Sequence, residues 1–133
     1  MNAQLKKGVL ELIVLESVRK KDMYGYELVE EVSKVVDVNE GTIYPLLKRL
    51  TNEKYFETYL RESTEGPPRK YYHITAAGVL YRDELECEWT QLADRVWVFL
   101  NAGKEQGEHE KDGSHKILSI GFGNRMSKER LDG

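Results

Sequence analysis

The fold follows from the stretch Asn39-Glu-Gly-Thr-Ile-Tyr-Pro-Leu-Leu-Lys-Arg-Leu50. Four apolar residues recur in it at helical spacing and predict one buried side of a helix. They are Ile43, Leu46, Leu47 and Leu50. The side chains left to project elsewhere carry hydroxyl or cationic groups, namely Thr42, Tyr44, Lys48 and Arg49. Such groups on the free surface of a helix suit the major groove of DNA, so we interpret this segment as a DNA-reading helix.

The start of this helix is less regular. Asn39 is placed to cap it through the side-chain oxygen. Pro45 then falls inside the helix, where its missing N–H loses a backbone hydrogen bond. We therefore expect the helix to begin nearer Thr42 or to bend at the proline.

A second motif follows at short range, Gly66-Pro-Pro-Arg-Lys-Tyr-Tyr-His-Ile-Thr75. Residues 55–60 and 70–74 favour strands through their aromatic and β-branched content, and residues 61–69 form the tip between them. This pattern predicts a hairpin wing whose Arg69 and Lys70 suit DNA phosphates or the minor groove. Glu62 and Glu65 keep its net charge small, so binding should depend on close docking and weaken with salt.

The remaining periodic segments predict three more helices. Residues 5–19 are apolar on two sides, and a second helix opens at Met23 with Asp22 as a plausible N-cap. Thr75 caps a fourth helix that runs to about Leu100. Apolar residues recur in it at steps of four and three, which indicates packing against another helix. We assign dimerisation to Leu85, Trp89, Leu92, Val96 and Phe99.

These elements predict a mainly α-helical fold with a small β-hairpin wing. Residues 1–74 form a winged helix-turn-helix DNA-binding domain, residues 75–101 a dimerisation helix and residues 102–133 a flexible tail. Helix-turn-helix spacing places the second and third helices next to each other, with the wing beside them.

Composition narrows the class of protein. The 133 residues carry a formal net charge of −3, so DNA binding requires a local basic surface rather than bulk charge. Cys87 is the only cysteine, which excludes an internal disulfide and a cysteine-based zinc site. No apolar run approaches the roughly 18 residues of a membrane span, and no signal peptide opens the chain. We expect a cytoplasmic protein without membrane contact.

The chain resembles the PadR family of bacterial transcriptional regulators, particularly its short members with one C-terminal helix. Three motifs at compatible spacing carry the resemblance, which covers residues 5 to about 100. They are Tyr24-Gly-Tyr-Glu-Leu28, Gly41-Thr-Ile-Tyr-Pro-Leu-Leu-Lys-Arg-Leu50 and Pro68-Arg-Lys-Tyr-Tyr-His-Ile-Thr75. The resemblance implies a homodimer on an inverted-repeat operator, with the C-terminal and first helices in the dimer interface. Many members are repressors released by a small effector.

The expected DNA-binding set combines the residue patterns with this resemblance. It consists of Tyr24, Tyr26, Asn39, Thr42, Tyr44, Lys48, Arg49, Arg69 and Lys70. A solvated helix face is the alternative for the third helix, and inward packing of at least one tyrosine is the alternative for Tyr24 and Tyr26. The family usually has a glycine where this chain has Tyr55. A left-handed helix cap is unfavourable for tyrosine, so we expect a different helix end and wing angle.

An aromatic effector is expected at Trp89, Leu92, Val96 and Trp97. Tryptophan rings on a dimerising helix can line a flat pocket, and the resemblance favours Trp89 in particular. Ordinary dimer packing is the alternative. Because the two tryptophans lie eight residues apart, they point roughly 80° apart around the helix and do not form one stacking pair.

Enzymatic functions fit the sequence poorly. His73 lies in a strand, and His109 and His115 lie in the tail, so no metal-ligand or acid–base spacing is present. No phosphate-binding loop or nucleophile motif occurs, and we expect no cofactor and no metal. The alternative function is a dimeric ligand-binding or protein-interaction module on the same fold, without DNA binding.

Overall fold

The computed structural model describes residues 3–103. They form four helices and three strands. In chain order these are α1 (Ala3–Lys20), β1 (Met23–Tyr24), α2 (Gly25–Ser33), α3 (Glu40–Asn52), β2 (Phe56–Arg61), β3 (Arg69–Ile74) and α4 (Ala76–Asn101). The chain divides into two compact units, one ending at Glu84 and the other beginning at Leu85. The predictions for the tail, including those for His109 and His115, lie outside the described residues.

The sheet is antiparallel, with strand order β1-β3-β2. The hairpin of β2 and β3 confirms the predicted wing, with Phe56 opposite Ile74 and Arg61 opposite Arg69. Strand β1 was not predicted. We expected Met23 and Tyr24 to begin α2, but they pair with β3. The prediction that Asp22 caps α2 was therefore wrong. Helix α2 begins at Gly25, and the Asp22 carboxylate accepts hydrogen bonds from the wing instead.

The core of the first unit lies between α1, α2, α3 and the inner side of the sheet. The buried side of α3 is as predicted for Ile43, Leu47 and Leu50, while Leu46 is half-buried. These residues meet apolar side chains from the other elements. Buried with them are Leu10, Val14, Leu15, Val18, Met23, Leu28, Val32, Val36, Phe56, Tyr71, Tyr72 and Ile74. Their packing fixes the position of α3 relative to α2 and the wing.

Helix α3 begins earlier than expected. Asn39 is the N-cap, and its Oδ1 accepts a hydrogen bond of 3.2 Å from the backbone N–H of Thr42. The helix starts at Glu40 and contains Pro45, so the expected start nearer Thr42 was wrong. Because Pro45 has no N–H, it cannot donate a hydrogen bond to the carbonyl of Gly41. Gly41 is exposed, so water can bind that carbonyl instead.

The C-terminal end of α3 has a left-handed residue although the chain lacks the glycine that the family usually has there. The left-handed residue is Lys54, with φ of 70°, not Tyr55. The N–H of Lys54 donates to the Thr51 carbonyl and that of Tyr55 to the Leu50 carbonyl, both at 3.0 Å. This is a Schellman ending with lysine at the strained position. Tyr55 is free of that strain, and its ring stacks on Tyr81 with centroids 4.3 Å apart.

Helix α4 begins as predicted. The Thr75 hydroxyl accepts from the backbone N–H of Gly78 at 3.0 Å and donates to the Lys54 carbonyl at 2.8 Å. Its backbone N–H donates to the Tyr55 carbonyl at 3.0 Å. The cap thus joins α4 to the end of α3. None of the described helices is long and apolar enough to cross a membrane.

Candidate DNA-binding surface

A cleft of about 400 Å³ opens between the start of α2, the first half of α3 and the tip end of β3. Five predicted DNA-binding residues line it, contributed by segments far apart in the sequence. They are Tyr24, Tyr26, Tyr44, Arg69 and Lys70, and Gly25 and Tyr72 complete the lining. We call these seven residues the tyrosine cleft. Its lining contains two cationic side chains and no carboxylate.

Tyr44 joins α3 to α2 at the floor of the tyrosine cleft. A Cβ atom added at Gly25 would lie 2.3 Å from Cε1 and 2.9 Å from the hydroxyl oxygen of Tyr44. Only glycine therefore allows this ring to lie against the start of α2. Burial, followed by the nearby Glu40 carboxylate, raises the pKa of Tyr44. The hydroxyl keeps its proton at neutral pH and can donate it to an anion.

The side chains of Tyr24 and Tyr26 lie in different environments. The Tyr24 ring packs inward on Tyr71, with ring centroids 5.4 Å apart, and the Arg69 guanidinium lies over the Tyr24 ring, with Cζ 4.6 Å from its centroid. Tyr26 is 53% exposed. The charge of Glu30 raises the pKa of the Tyr26 hydroxyl, so this group also stays protonated. One tyrosine supports the wing, and the other reaches outward.

Sequence reasoning missed two residues of the cleft, Gly25 and Tyr72. Tyr72 is buried, and burial raises the pKa of its hydroxyl. Lys70 lies on the same side of β3, with Nζ 6.0 Å from the Tyr72 ring centroid. The alternation of side chains along a strand would have placed Lys70 and Tyr72 together. The role of Gly25 needs the ring of a residue 19 positions away, so no local pattern reveals it.

Two other predicted residues lie exposed on α3, outside the cleft lining. Thr42 and Lys48 are both exposed, and Lys48 forms no ion pair with any described residue. Lys48 lies one turn beyond Tyr44, on the same side of the helix. Asn39 uses its side-chain oxygen for the cap, so its amide N–H₂ is the group left to contact DNA.

Arg49 departs from the expected picture. Its guanidinium forms ion pairs with Glu11 of α1 at 2.9 Å and with Glu53 at 3.1 Å. The Tyr81 hydroxyl donates to the same Glu11 oxygen at 2.9 Å. Burial and this hydrogen bond raise the pKa of Tyr81 to about 12. The structure therefore places Arg49 between two carboxylates, in a cluster with α1 and α4, and not in the tyrosine cleft.

The predicted dimerisation residues form an exposed stripe on the second unit. Their exposed fractions are 38% for Trp89, 57% for Leu92, 45% for Val96 and 80% for Phe99, while Leu85 is half-buried. Trp97, assigned to the effector, is also half-buried. The spacing of four and three residues keeps the stripe on one side of α4.

The side chains that could bind a metal ion are scattered in the described part of the chain. No group of three or more histidine, cysteine, aspartate or glutamate side chains lies close enough within residues 3–103 to hold a metal ion. His73, the one histidine in this range, lies with Nδ1 2.9 Å from Oδ1 of Asp22. This contact belongs to the outer side of the wing.

Comparison with known proteins identifies the family and the fold of the chain. The model of the transcriptional regulator PadR-like family matches residues 14–84. A PadR-like transcriptional regulator from Bacillus cereus is 41% identical over 74% of this chain and 97% of its own, with a TM-score of 0.67. A Streptococcus transcriptional regulator is 37% identical over 75% of this chain and 100% of its own, with a TM-score of 0.68.

An uncharacterized protein of Lysinibacillus sphaericus is 32% identical over 104 residues, which are 75% of this chain and 95% of the relative. The predicted winged helix-turn-helix fold and the resemblance are thus confirmed. Regulators of this family are DNA-binding proteins and not enzymes, as we expected of this chain. The chain belongs to the PadR-like family of transcriptional regulators.

Proposed function

We propose that the protein is a dimeric repressor that binds an inverted-repeat operator through α3, the tyrosine cleft and the wing. The observation that carries this proposal is the convergence of five predicted residues on one cleft. They come from the four elements β1, α2, α3 and β3 and present phenol, guanidinium and ammonium donors around a lining without carboxylates. Donors of these types bind DNA phosphates.

The tyrosine cleft is proposed to hold a backbone phosphate beside the major groove. The start of α2 borders the cleft, and the free N–H groups of a helix start favour an anion. Glu27 accepts from the Tyr24 backbone N–H at 3.3 Å. The N–H groups of Gly25 and Tyr26 lie in the first turn of α2, where no carbonyl of the same helix reaches them. Arg69 and Lys70 add charge from the wing side. Phosphate contact here would fix the orientation of α3 in the groove.

Lys48 and Thr42 are proposed to face base edges or phosphates within the groove. Both are exposed on α3, and the Lys48 charge has no partner among the described residues. A lysine with an unbalanced charge retains its full attraction for DNA. Arg49 is not included, because Glu11 and Glu53 already balance its charge.

Dimerisation through α4 would present two such surfaces to the DNA. The exposed stripe from Leu85 to Phe99 offers apolar side chains at the spacing of a helix–helix seam. A twofold pair of subunits matches an inverted repeat when the recognition helices lie one turn of DNA apart. A small aromatic effector bound near Trp89, Leu92, Val96 and Trp97 would change that separation and release the operator.

A fluorescence-anisotropy titration tests DNA binding. The DNA is the region immediately upstream of the gene, with excess nonspecific competitor and several salt concentrations. We expect saturable, competitor-resistant and salt-sensitive binding at one dimer per site. The double variant Arg69→Ala/Lys70→Ala should lose it, whereas Lys34→Ala, which removes a charge paired with Glu31 on α2, should not. Equal losses for both variants would contradict the assignment of the cleft.

Sedimentation velocity tests the dimer. Replacing Leu92 in the stripe by Glu should give monomers, because a charge cannot be buried in the seam without a large cost. Val98→Glu is the matched control, since Val98 is 64% exposed on the same helix but points away from the stripe. A dimer that survives the first change and fails on the second would place the interface elsewhere.

The effector proposal is tested by tryptophan fluorescence. Planar aromatic compounds should quench the emission, and the same compounds should raise the apparent Kd for the upstream DNA. Trp89→Phe should reduce both effects. Quenching without any change in DNA affinity would separate ligand binding from regulation and contradict the proposed mechanism.

A further inference from the structure

Arg61 is a second cationic residue of the wing that lies outside the lining of the tyrosine cleft. Arg61 of β2 is the direct register partner of Arg69 of β3. Like charges directly opposite each other in a sheet are destabilising. Neither arginine forms an ion pair with any acid in the described part of the chain. Other contacts must therefore offset the repulsion between Arg61 and Arg69.

Tyrosine rings supply that support. The Arg61 Cζ lies 4.8 Å from the Tyr71 ring centroid, and the Arg69 Cζ lies 4.6 Å from that of Tyr24. The Tyr24 and Tyr71 centroids are 5.4 Å apart, and Tyr59 stacks on Tyr71 at 5.7 Å. Both guanidinium groups therefore rest on one connected set of rings. Side-chain freedom is reduced before any ligand arrives.

The carboxylate of Asp22, whose charge acts on Arg61, is already hydrogen-bonded within the wing. Asp22 accepts from the Tyr59 hydroxyl at Oδ2, 2.6 Å away, and faces Nδ1 of His73 through Oδ1 at 2.9 Å. Burial disfavours its charge, but these hydrogen bonds and the nearby cations hold the pKa of Asp22 below its usual value. Both oxygens thus serve the wing itself. Asp22 influences Arg61 through space without forming an ion pair with it.

The Arg61 guanidinium stacks on Tyr71 through its face and shares one hydrogen bond with that side chain, which leaves the rest of its N–H edge for a ligand. That edge matches the oxygens of a phosphate diester. We propose that Arg61, fixed over Tyr71, is a further phosphate-binding residue that extends the DNA contact from the tyrosine cleft onto the outer side of the wing. Arg69 connects the two places, because it lines the cleft and is the register partner of Arg61. This inference rests on the proposed function.

The test compares Arg61→Ala and Arg61→Lys with the wild-type full chain. Binding is measured on the upstream DNA and on a random-sequence duplex at low salt, across a salt series. Arg61→Ala should raise the Kd roughly tenfold. It should also lower the slope of log K against log salt by about one, the mark of one lost phosphate contact. Arg61→Lys keeps the charge, so it should restore most of the slope with part of the affinity.

Lys34→Ala is the control for the loss of one surface charge. A merely structural Arg61 would lower affinity, if at all, together with the thermal midpoint and without changing the salt slope, and that result would overturn the proposal. So would wild-type affinity of Arg61→Ala. If Arg61→Ala binds normally while Arg69→Ala/Lys70→Ala does not, the proposed function stands and only the role of Arg61 fails. A wild-type chain that binds neither duplex contradicts both.

Discussion

The two sides of α3 that flank its buried stripe do different work. On one side Tyr44 lies against Gly25 in the tyrosine cleft. Lys48, which has no ion-pair partner within residues 3–103, lies one turn further on. On the other side Arg49 and Glu53, also one turn apart, pair with each other, and Arg49 reaches Glu11 of α1. Lys48 and Arg49 are neighbours in sequence but point roughly 100° apart. One side is left available for DNA, and the other holds the helix in place.

The largest expected effect contrasts two glycines, Gly25 at the start of α2 and Gly78 in the first turn of α4. A Cβ at Gly78 would lie 2.3 Å from the Tyr55 carbonyl oxygen, whereas at Gly25 the close atoms all belong to the Tyr44 ring. The Tyr44 side chain can rotate away from an added methyl group, whereas the Tyr55 backbone carbonyl cannot. Gly78→Ala should therefore lower the free energy of unfolding by about 3 kcal/mol, and Gly25→Ala by about 1 kcal/mol. Urea denaturation measures both values.

Gly25→Ala should nevertheless be the more harmful change for operator binding, because it displaces Tyr44 from the cleft. The double variant Gly25→Ala/Tyr44→Ala removes the clash and should recover stability without recovering DNA affinity. Equal stability losses for the two single glycine variants would show that the Tyr44 ring is as immobile as the backbone.

Neutralising Glu11 should affect stability alone. Glu11 accepts from both Arg49 and Tyr81, so Glu11→Gln weakens both hydrogen bonds. We expect a loss of about 1 kcal/mol, a modest value because Arg49 is about half exposed. Glu57→Gln, at an exposed position in β2, is the control. A large drop in operator affinity at unchanged stability would show that this side of α3 also touches DNA.

Lys54→Gly should stabilise the protein. Lys54 holds a left-handed conformation that glycine adopts without strain, although glycine also loses more freedom on folding. The net gain is about 0.5–1 kcal/mol, measured as the shift of the urea midpoint at constant m-value. The wing contacts should not change. A loss of stability would mean that the lysine side chain contributes more than its backbone strain costs.

The smallest effect is a dependence on alkaline pH. The folded-state pKa of Tyr81, about 12, lies above the value of 10 for a free tyrosine. Its contribution to stability is therefore complete below pH 10 and is lost as the pH rises from 10 to 12. Wild type should lose more stability than Tyr81→Phe across this window in urea titrations. Parallel curves for the two proteins would contradict the contact with Glu11.

The elements of the fold were predictable because their signals are local. The stripe of Ile43, Leu47 and Leu50, the Asn39 cap and the Gly-Pro-Pro tip each specify a helix or a turn within a few residues. Strand β1 was not predicted, because two residues are too few to show the alternation of polar and apolar side chains that marks a strand. Met23 and Tyr24 become a strand only by pairing with β3, nearly 50 residues later.

The site was predictable in its residue types but not in its partners. Tyr24, Tyr44 and Arg69 were expected as separate DNA contacts, and the structure brings them into one cleft. Arg49 looked equivalent to Lys48, since both are cations on the free surface of one helix. The difference is Glu11, which lies 38 positions away in α1 and balances only one of the two charges. A charge partner at such a distance is set by tertiary packing, which no local pattern records.

The most direct test of this division is to titrate Lys48→Ala and Arg49→Ala in parallel against the same upstream DNA and to record the thermal midpoint of each. We expect Lys48→Ala to raise the Kd roughly tenfold, to lower the salt slope by about one and to leave stability nearly unchanged. We expect Arg49→Ala to lower the midpoint but to keep operator affinity close to wild type. Loss of DNA affinity with Arg49→Ala equal to that with Lys48→Ala, at unchanged stability, would contradict this division of α3.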